Sequence, residues 1–286
     1  MEGTAPIQQQ RPAATAAATS MNARVTAKRE VAPGLMILRI EPEGWELPDF
    51  EPGQFAVLGL SPDAPRCAFS EPESAPPPAG KLVRRAYSIA SSSVAKEFLE
   101  FYVALVRSGA FTPRLFALEV GDPVWLSPKV TGMFTLAEVP EDSNLVLIAT
   151  GTGLAPYMSM IRTRTLRDEG RRVSVIHGAK HSWDLGYRSE LLALCRAHPG
   201  FRYLPTITEP LEEPTPWTGL VGYVQDLWLR GALVDALGSR PAPANTHVFL
   251  CGNPAMIADM TAILTGEGFR EHSRRTPGEI HTEKYW

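Results

Sequence analysis

The sequence predicts a two-domain protein, an antiparallel β-barrel domain followed by an α/β domain on a parallel sheet. Three observations predict it. From Met21 to Leu136 the chain reads as short strands punctuated by Pro and Gly, the text of an antiparallel barrel. From Leu145 onward, apolar runs alternate with helical stretches, as in a sheet covered by helices on both faces. Between them Glu138-Val139-Pro140-Glu141-Asp142-Ser143-Asn144 is polar and fits a linker. The expected layout is a disordered leader over residues 1–21, a barrel over 22–138 and an α/β domain over 144–286 with its C-terminal tail.

The leader is rich in Ala, Thr, Gln and Pro and has no apolar segment of the kind a secretory signal needs. Strands follow at Leu35–Ile40 and Phe55–Leu60, each rich in β-favouring residues. Residues 61–80, with Pro, Ala, Ser, Glu and Cys67, interrupt them as a surface loop. Arg85-Ala86-Tyr87-Ser88 is expected in a strand, where alternation puts Arg85 and Tyr87 on one face and Ser88 on the other. Arg84-Arg85 concentrates cationic charge, and the planar guanidinium suits bidentate contact with a phosphate. Phe98–Val106 and Pro123–Leu126 complete the barrel text. Between them Thr112-Pro113 reads as an N-cap with Pro at the first helical position, aiming a short helix through Leu118 at an anion. Most such caps are purely structural.

In the second half Leu145–Ala149 is an unbroken apolar run, as expected of a buried parallel strand. Gly151-Thr152-Gly153-Leu154-Ala155-Pro156 follows it and opens a helix from Ala155 to about Arg167. Glycines let backbone approach a pyrophosphate, and a helix start offers free N–H groups; an ordinary strand–helix turn would read alike. Then come a strand at Val173–Ile176, a helix through Glu190–Leu194, a strand at Phe201–Pro205, a helix at Tyr223–Leu229 and a strand at His247–Cys251. Cys251-Gly252-Asn253-Pro254 closes that last strand before a helix at Ala255–Leu264. Both Gly-containing loops therefore face one crevice at the sheet's C-terminal edge, where ligands bind in α/β folds. Taken alone, Cys251 is a buried structural thiol.

Composition removes several functions. At 286 residues, 44% hydrophobic and 21% charged, the chain has ordinary globular content. A net charge of −3 argues against nucleic acid as the main partner. No apolar run reaches the roughly 20 residues that span a bilayer. Cys67, Cys195 and Cys251 are too dispersed for a metal site, a disulfide framework or an iron–sulfur cluster within this chain, and the expected compartment is the cytoplasm. The terminus Glu283-Lys284-Tyr285-Trp286 is unusual, because ends fray and seldom close on two large aromatics. It suits a tail docked on its own core or a cover for a flat ligand surface.

Read together, Arg85-x-Tyr87-Ser88, Gly151-Thr152-Gly153, Cys251-Gly252-Asn253-Pro254 and a terminal Glu-x-Tyr resemble the ferredoxin–NADP(+) reductase family, especially bacterial members ending in Tyr-Trp. The match runs in order over residues 22–286 and includes the tail from Arg274-Arg275-Thr276-Pro277-Gly278 to Trp286, but not the leader or the 61–80 loop. The resemblance implies an FAD enzyme of the EC 1.18.1 type that exchanges electrons between NAD(P)H and ferredoxin or flavodoxin. It implies that Arg85, with Ala86 in the same motif, and Thr112 meet the FAD pyrophosphate, that Tyr87 packs on the isoalloxazine and that Ser88 bonds near flavin N5. Gly151, Thr152 and Gly153 would cradle the nicotinamide dinucleotide's phosphates. Cys251, with Gly252 and Asn253 in its loop, would abut the nicotinamide ring. Glu283 would sit near Ser88, Tyr285 would cover the flavin face as a gate, and Trp286 would stack on the FAD adenine.

One departure from the family pattern bears on the nucleotide. Members using NADPH show a Ser-Arg pair after the third strand of this domain and an Arg soon after the next Gly. Here Glu209 and Leu220 occupy those places. A carboxylate repels a 2′-phosphate but accepts hydrogen bonds from a free ribose diol, which favours NADH. Lys180, Arg188 or Arg230 would supply the charge if the loop shifts. An acidic carrier calls for a cationic rim, for which Arg84, Lys129, Arg274, Arg275 and Lys284 are candidates. The competing readings are a free-flavin or diaphorase-type reductase and a non-catalytic FAD-binding redox subunit. A monomer is expected.

Overall fold

Twelve strands are described, and they divide into two six-stranded sheets. The structure is a computed structural model that describes residues 21–165 and 171–284. The leader, the end of the helix expected to reach Arg167, and Tyr285 and Trp286 lie outside the described residues.

The first sheet contains β1 (Ala23–Ala32), β2 (Leu35–Pro42), β3 (Phe55–Leu60), β4 (Val83–Ser88), β5 (Leu99–Ala104) and β6 (Pro123–Leu126). Its order is β4-β3-β6-β1-β2-β5, with every pair antiparallel. The two edges meet through an antiparallel bridge between Ile89 and Phe101, which closes the sheet into a barrel. Alternating side chains such as Val25, Leu38, Ile40, Ala56 and Leu58 fill its interior.

Helix α1 (Thr112–Phe116) corrects one expectation. Phe111, not Thr112, is its N-cap residue, and no side chain caps it. The Thr112 hydroxyl instead donates to the Val106 carbonyl and accepts from the Val106 amide, at 3.1 and 2.9 Å. A hydroxyl so engaged closes the turn after β5 rather than the helix end.

The 61–80 segment has no regular structure, yet it is stapled down. Arg114 is buried and bonds the Pro62 and Ala110 carbonyls and both Glu73 carboxylate oxygens. Arg66 adds bonds to the carbonyls of Gly109 and Glu71.

The second sheet contains β7 (Asn144–Thr150), β8 (Val173–Ala179), β9 (Phe201–Ile207), β10 (Leu220–Val221), β11 (Thr246–Cys251) and β12 (Ile280–Glu283). All its pairs are parallel, in the order β10-β9-β8-β7-β11-β12. Helices α2 (Ala155–Met160), α3 (Arg188–Ala197), α4 (Val224–Leu229), α5 (Val234–Leu237) and α6 (Pro254–Gly266) connect the strands. Leu145, Leu147 and Ala149 pack into one apolar cluster, and Val146 and Ile148 into another on the opposite face, so β7 is covered on both sides. The helix expected at 155–167 is more varied than its sequence suggests. A 3₁₀ turn covers Gly151–Leu154, α2 follows, and a π turn covers Ile161–Thr165. Strand β12 was not expected: the tail itself becomes the sheet's outer strand.

The two sheets are joined by packing and charge. Ile37, Ala90, Tyr102 and Phe134 of the barrel share a cluster with Leu147, Tyr157 and Phe249. Beside it Arg162 donates to Glu100, to the Ala90 carbonyl and to both oxygens of Glu190, while Arg39 and the Tyr187 hydroxyl also reach Glu100. Burial opposes ionisation of Glu100, but Arg162, Arg39 and Tyr187 outweigh it and hold the carboxyl below its ordinary value. The π turn presents Thr163 to the same surface, where its hydroxyl meets Ser92 Oγ and the Ser93 amide, each at 3.0 Å.

Candidate active site

The parallel sheet reverses direction of winding at β7, which has β8 on one side and β11 on the other. Such a switch point leaves a crevice at the strands' C-terminal ends. Both Gly-containing loops lie there and touch each other. The Asn253 amide donates to Thr150 Oγ1 at 2.7 Å, and the Asn253 side chain caps α6 by accepting from the Ala255 amide at 2.8 Å. A Cβ on Gly153 would stand 2.3 Å from the Cys251 carbonyl oxygen, and one on Gly252 would stand 2.2 Å from Thr150 Oγ1. These two glycines let the loops interlock. Gly151 is different: it has φ +53°, and a Cβ there would meet no atom within 4 Å. That open, left-handed turn is the shape of a phosphate cradle.

Cys251 is fully buried. Burial, then the Glu283 carboxylate, push its thiol well above the ordinary range, so it is a neutral packing group. Glu283 stands opposite Cys251 in the β11–β12 register, and its Oε2 lies 3.5 Å from Ser88 Oγ. Ser88, Cys251 and Glu283 are therefore brought together from the barrel, the sheet and the tail.

On β4, Arg85 and Tyr87 oppose Leu58 and Ala56, while Ser88 opposes Phe55 across the ladder. The face assignment read from the sequence matches this register. Tyr87 leans on Phe101 and Phe111, with ring centroids 6.4 and 5.8 Å away, and burial raises its phenol pKa. The Arg85 guanidinium is exposed and donates to the Arg84 carbonyl, and Arg84 itself lies 4.1 Å over Trp125. An exposed arginine with an aromatic beside it fits a flavin dinucleotide, the arginine matching its pyrophosphate and the ring its planar heterocycle, and the open Gly151 turn fits the phosphates of a second dinucleotide.

Glu209 lies just beyond the C-terminal end of β9, with its amide on the Lys180 carbonyl at 3.0 Å and its carboxylate exposed. Leu220 pairs with Thr206 on the adjoining strand. Of the alternative cations, Arg230 donates to the Val221 and Asp226 carbonyls, and Arg188 lies 4.8 Å over Trp217. Sequence reading missed Thr150, which ties the two loops, and His177, a buried polar residue inside the apolar strand β8. Its place directly after Val175-Ile176, still within the strand, was the available signal.

The family model described as an oxidoreductase NAD-binding domain matches residues 147–262. A flavodoxin/ferredoxin–NADP reductase of Shigella flexneri is 33% identical over 238 residues, covering 83% of this chain and 88% of that protein. The ferredoxin–NADP reductase of Azotobacter vinelandii is 30% identical over 245 residues, covering 82% and 86%. Among solved structures, a ferredoxin NADP+ reductase from Neisseria gonorrhoeae with bound FAD and NADP superposes with a TM-score of 0.77 at 25% identity, covering 93% of this chain and 98% of that one. With its closed barrel, its switch-point crevice and relatives matched along most of their length, this chain belongs to the ferredoxin/flavodoxin–NADP reductase family.

Proposed function

We propose that the protein is an FAD-dependent oxidoreductase that moves electrons between a nicotinamide dinucleotide and a ferredoxin- or flavodoxin-type carrier. The observation that carries the reading is the meeting of Ser88, Cys251 and Glu283 beside the Gly151 turn. The chemistry that bound FAD would supply is hydride acceptance from nicotinamide and one-electron release to a carrier. Arg85, with Ala86 beside it, would hold the FAD pyrophosphate, and Tyr87 would offer its ring to the flavin. Thr112 would support that region through the turn it closes rather than through a free hydroxyl.

Gly151, Thr152 and Gly153 would receive the nicotinamide dinucleotide's phosphates on their backbone amides, and the Gly252-Asn253 loop would form the opposite wall. Cys251, neutral and buried, would give nicotinamide an apolar floor that excludes water. The Ser88 hydroxyl can donate a proton while the Glu283 carboxylate accepts one, so the pair can pass a proton between the crevice and the tail. Tyr285 as flavin cover and Trp286 as adenine clamp complete the proposal by resemblance.

Glu209 and Leu220, where family members using NADPH carry arginines, favour NADH, although the relatives named above are NADP reductases. The carrier would dock on the cationic surface that includes Arg84 and Lys129. No helix among the described residues is long and apolar enough to cross a membrane. Stopped-flow reduction of the bound flavin by each nucleotide tests the reading. Reduction by NADH at least tenfold faster than by NADPH supports all of it, the reverse order removes the NADH preference, and reduction by neither removes the reductase assignment.

A further inference from the structure

His177 is fully buried on β8, directly beneath the Gly151 turn. Its Nε2 lies 3.2 Å from the Gly151 carbonyl oxygen and its Nδ1 lies 3.2 Å from the Tyr203 hydroxyl on β9. A carbonyl oxygen can only accept, so Nε2 carries the hydrogen. Nδ1 is then the acceptor, and the Tyr203 hydroxyl must donate to it. The result is a cross-link over three parallel strands, from β9 through β8 to the turn after β7. Burial pushes the His177 pKa down to about 4, so the ring is neutral and keeps this donor–acceptor order near neutral pH.

The cross-link acts on a particular peptide plane. Among the described residues every peptide bond is trans, so the C=O of Gly151 and the N–H of Thr152 point in opposite directions. Drawing the Gly151 oxygen inward to His177 turns the Thr152 amide outward. The turn has room around it, since a Cβ on Gly151 would meet nothing within 4 Å. The 3₁₀ turn over Gly151–Leu154 also holds this plane, and the His177 bond adds a side-chain anchor at a glycine whose backbone is otherwise permissive.

We infer that His177 is a positioning residue for the nicotinamide dinucleotide, which, held by Tyr203, orients the Thr152 amide toward the dinucleotide's phosphates. The inference rests on the assignment of the Gly151 turn to that nucleotide in the proposed function. It places a specificity element beneath the site rather than within it. Because Tyr203 lies on the strand that leads to Glu209, the same cross-link fixes the phosphate end of the site against its ribose end.

Three variants of the FAD-loaded protein test it: His177→Phe, which fills the space without hydrogen bonds, Tyr203→Phe, which removes one oxygen, and His177→Gln, which keeps a donor. The measurements are the calorimetric Kd for NAD+ and the steady-state KM and kcat with NADH and ferricyanide. His177→Phe and Tyr203→Phe should each raise Kd and KM about five- to twentyfold, with kcat within about twofold and an unchanged flavin spectrum, and His177→Gln should recover most of the loss. Unchanged Kd in both Phe variants overturns the inference, as does a fall in kcat with KM constant. Should His177→Phe fail to fold, Tyr203→Phe decides alone, because it leaves the ring packing in place. A wild-type protein that binds no NAD+ and takes no electrons from NADH or NADPH fails the functional assignment itself, a result separable from wild-type turnover with indifferent variants.

Discussion

Glu283 stands opposite Cys251 across two parallel strands and reaches within 3.5 Å of Ser88, a residue 195 positions earlier on a different sheet. The contact exists only because the tail becomes the last strand of the parallel sheet. It makes the carboxylate part of a rigid element, and the proposed proton pair inherits that rigidity.

Replacing Glu283 by Gln should therefore lower the rate of flavin reduction by about 10²-fold, the scale of losing one positioned acid–base group. Ser88→Ala should act in the same direction, and the double variant should lose little more than the worse single one. Stopped-flow absorbance with matched FAD content checks this. Additive losses would show that the two groups act independently.

Exchanging the ribose end should move the nucleotide preference. Glu209→Arg with Leu220→Arg removes a carboxylate and adds two guanidinium groups where a 2′-phosphate would lie. A hydrogen bond to a charged group contributes about 1.5–3 kcal/mol, so each arginine should shift the NADPH-to-NADH ratio of kcat/KM by about 10- to 100-fold. An unmoved ratio would place the adenosine ribose elsewhere.

Arg162 links the two domains, bonding Glu100 on β5 of the barrel and Glu190 on α3 of the α/β domain. Arg162→Ala leaves Glu100 buried with fewer donors, and breaking such a pair costs about 3–5 kcal/mol. The midpoint of denaturant unfolding should fall accordingly. Because Arg162 bonds Glu100, Ala90 and Glu190 and none of the crevice-loop residues, the refolded variant should retain its KM for the nucleotide within about twofold.

Acid should destabilise the fold through buried histidines. His281 stacks between Phe249 and His272 and bonds His247, and burial followed by these two imidazoles pushes its pKa down to about 3. His177 is down to about 4. The unfolded chain protonates both near pH 6.5, so between that value and the folded pKa values it binds more protons, and stability rises with pH. Each group supplies a slope of about 1.4 kcal/mol per pH unit across its window. Urea midpoints should be flat from pH 7 to 8 and fall steeply between pH 6 and 4. Phe in place of His281 should soften that fall.

The elements most legible in the sequence were those with a strong period. Leu145–Ala149 is apolar at every position, and only a strand covered on both faces accepts that. The two Gly-containing loops were readable because turn chemistry is local. Strand β12 was not: Ile280-His281-Thr282-Glu283 is short and mixed, and its pairing with β11 is set by tertiary contact. Thr112 misled for a related reason, since a Thr before a Pro signals a cap only while its hydroxyl is free, and Val106 claims it. The junction was hidden altogether, because Glu100 and Arg162 lie 62 residues apart and a charge pair carries no period. The site's supporting groups, Thr150 and His177, escaped because their meaning depends on which carbonyl or amide the fold brings to them.

The stapling of residues 61–80 has a consequence for how this chain can change. The Arg114 guanidinium lies under the segment and finds most of its acceptors, the Pro62 carbonyl and the Glu73 carboxylate, within it. Excising the segment would remove the Glu73 counter-charge and the Pro62 acceptor together with the cover over them, leaving the Arg114 guanidinium to the Ala110 carbonyl and solvent. The segment and Arg114 are therefore coupled: a change in the length of one alters the partners of the other.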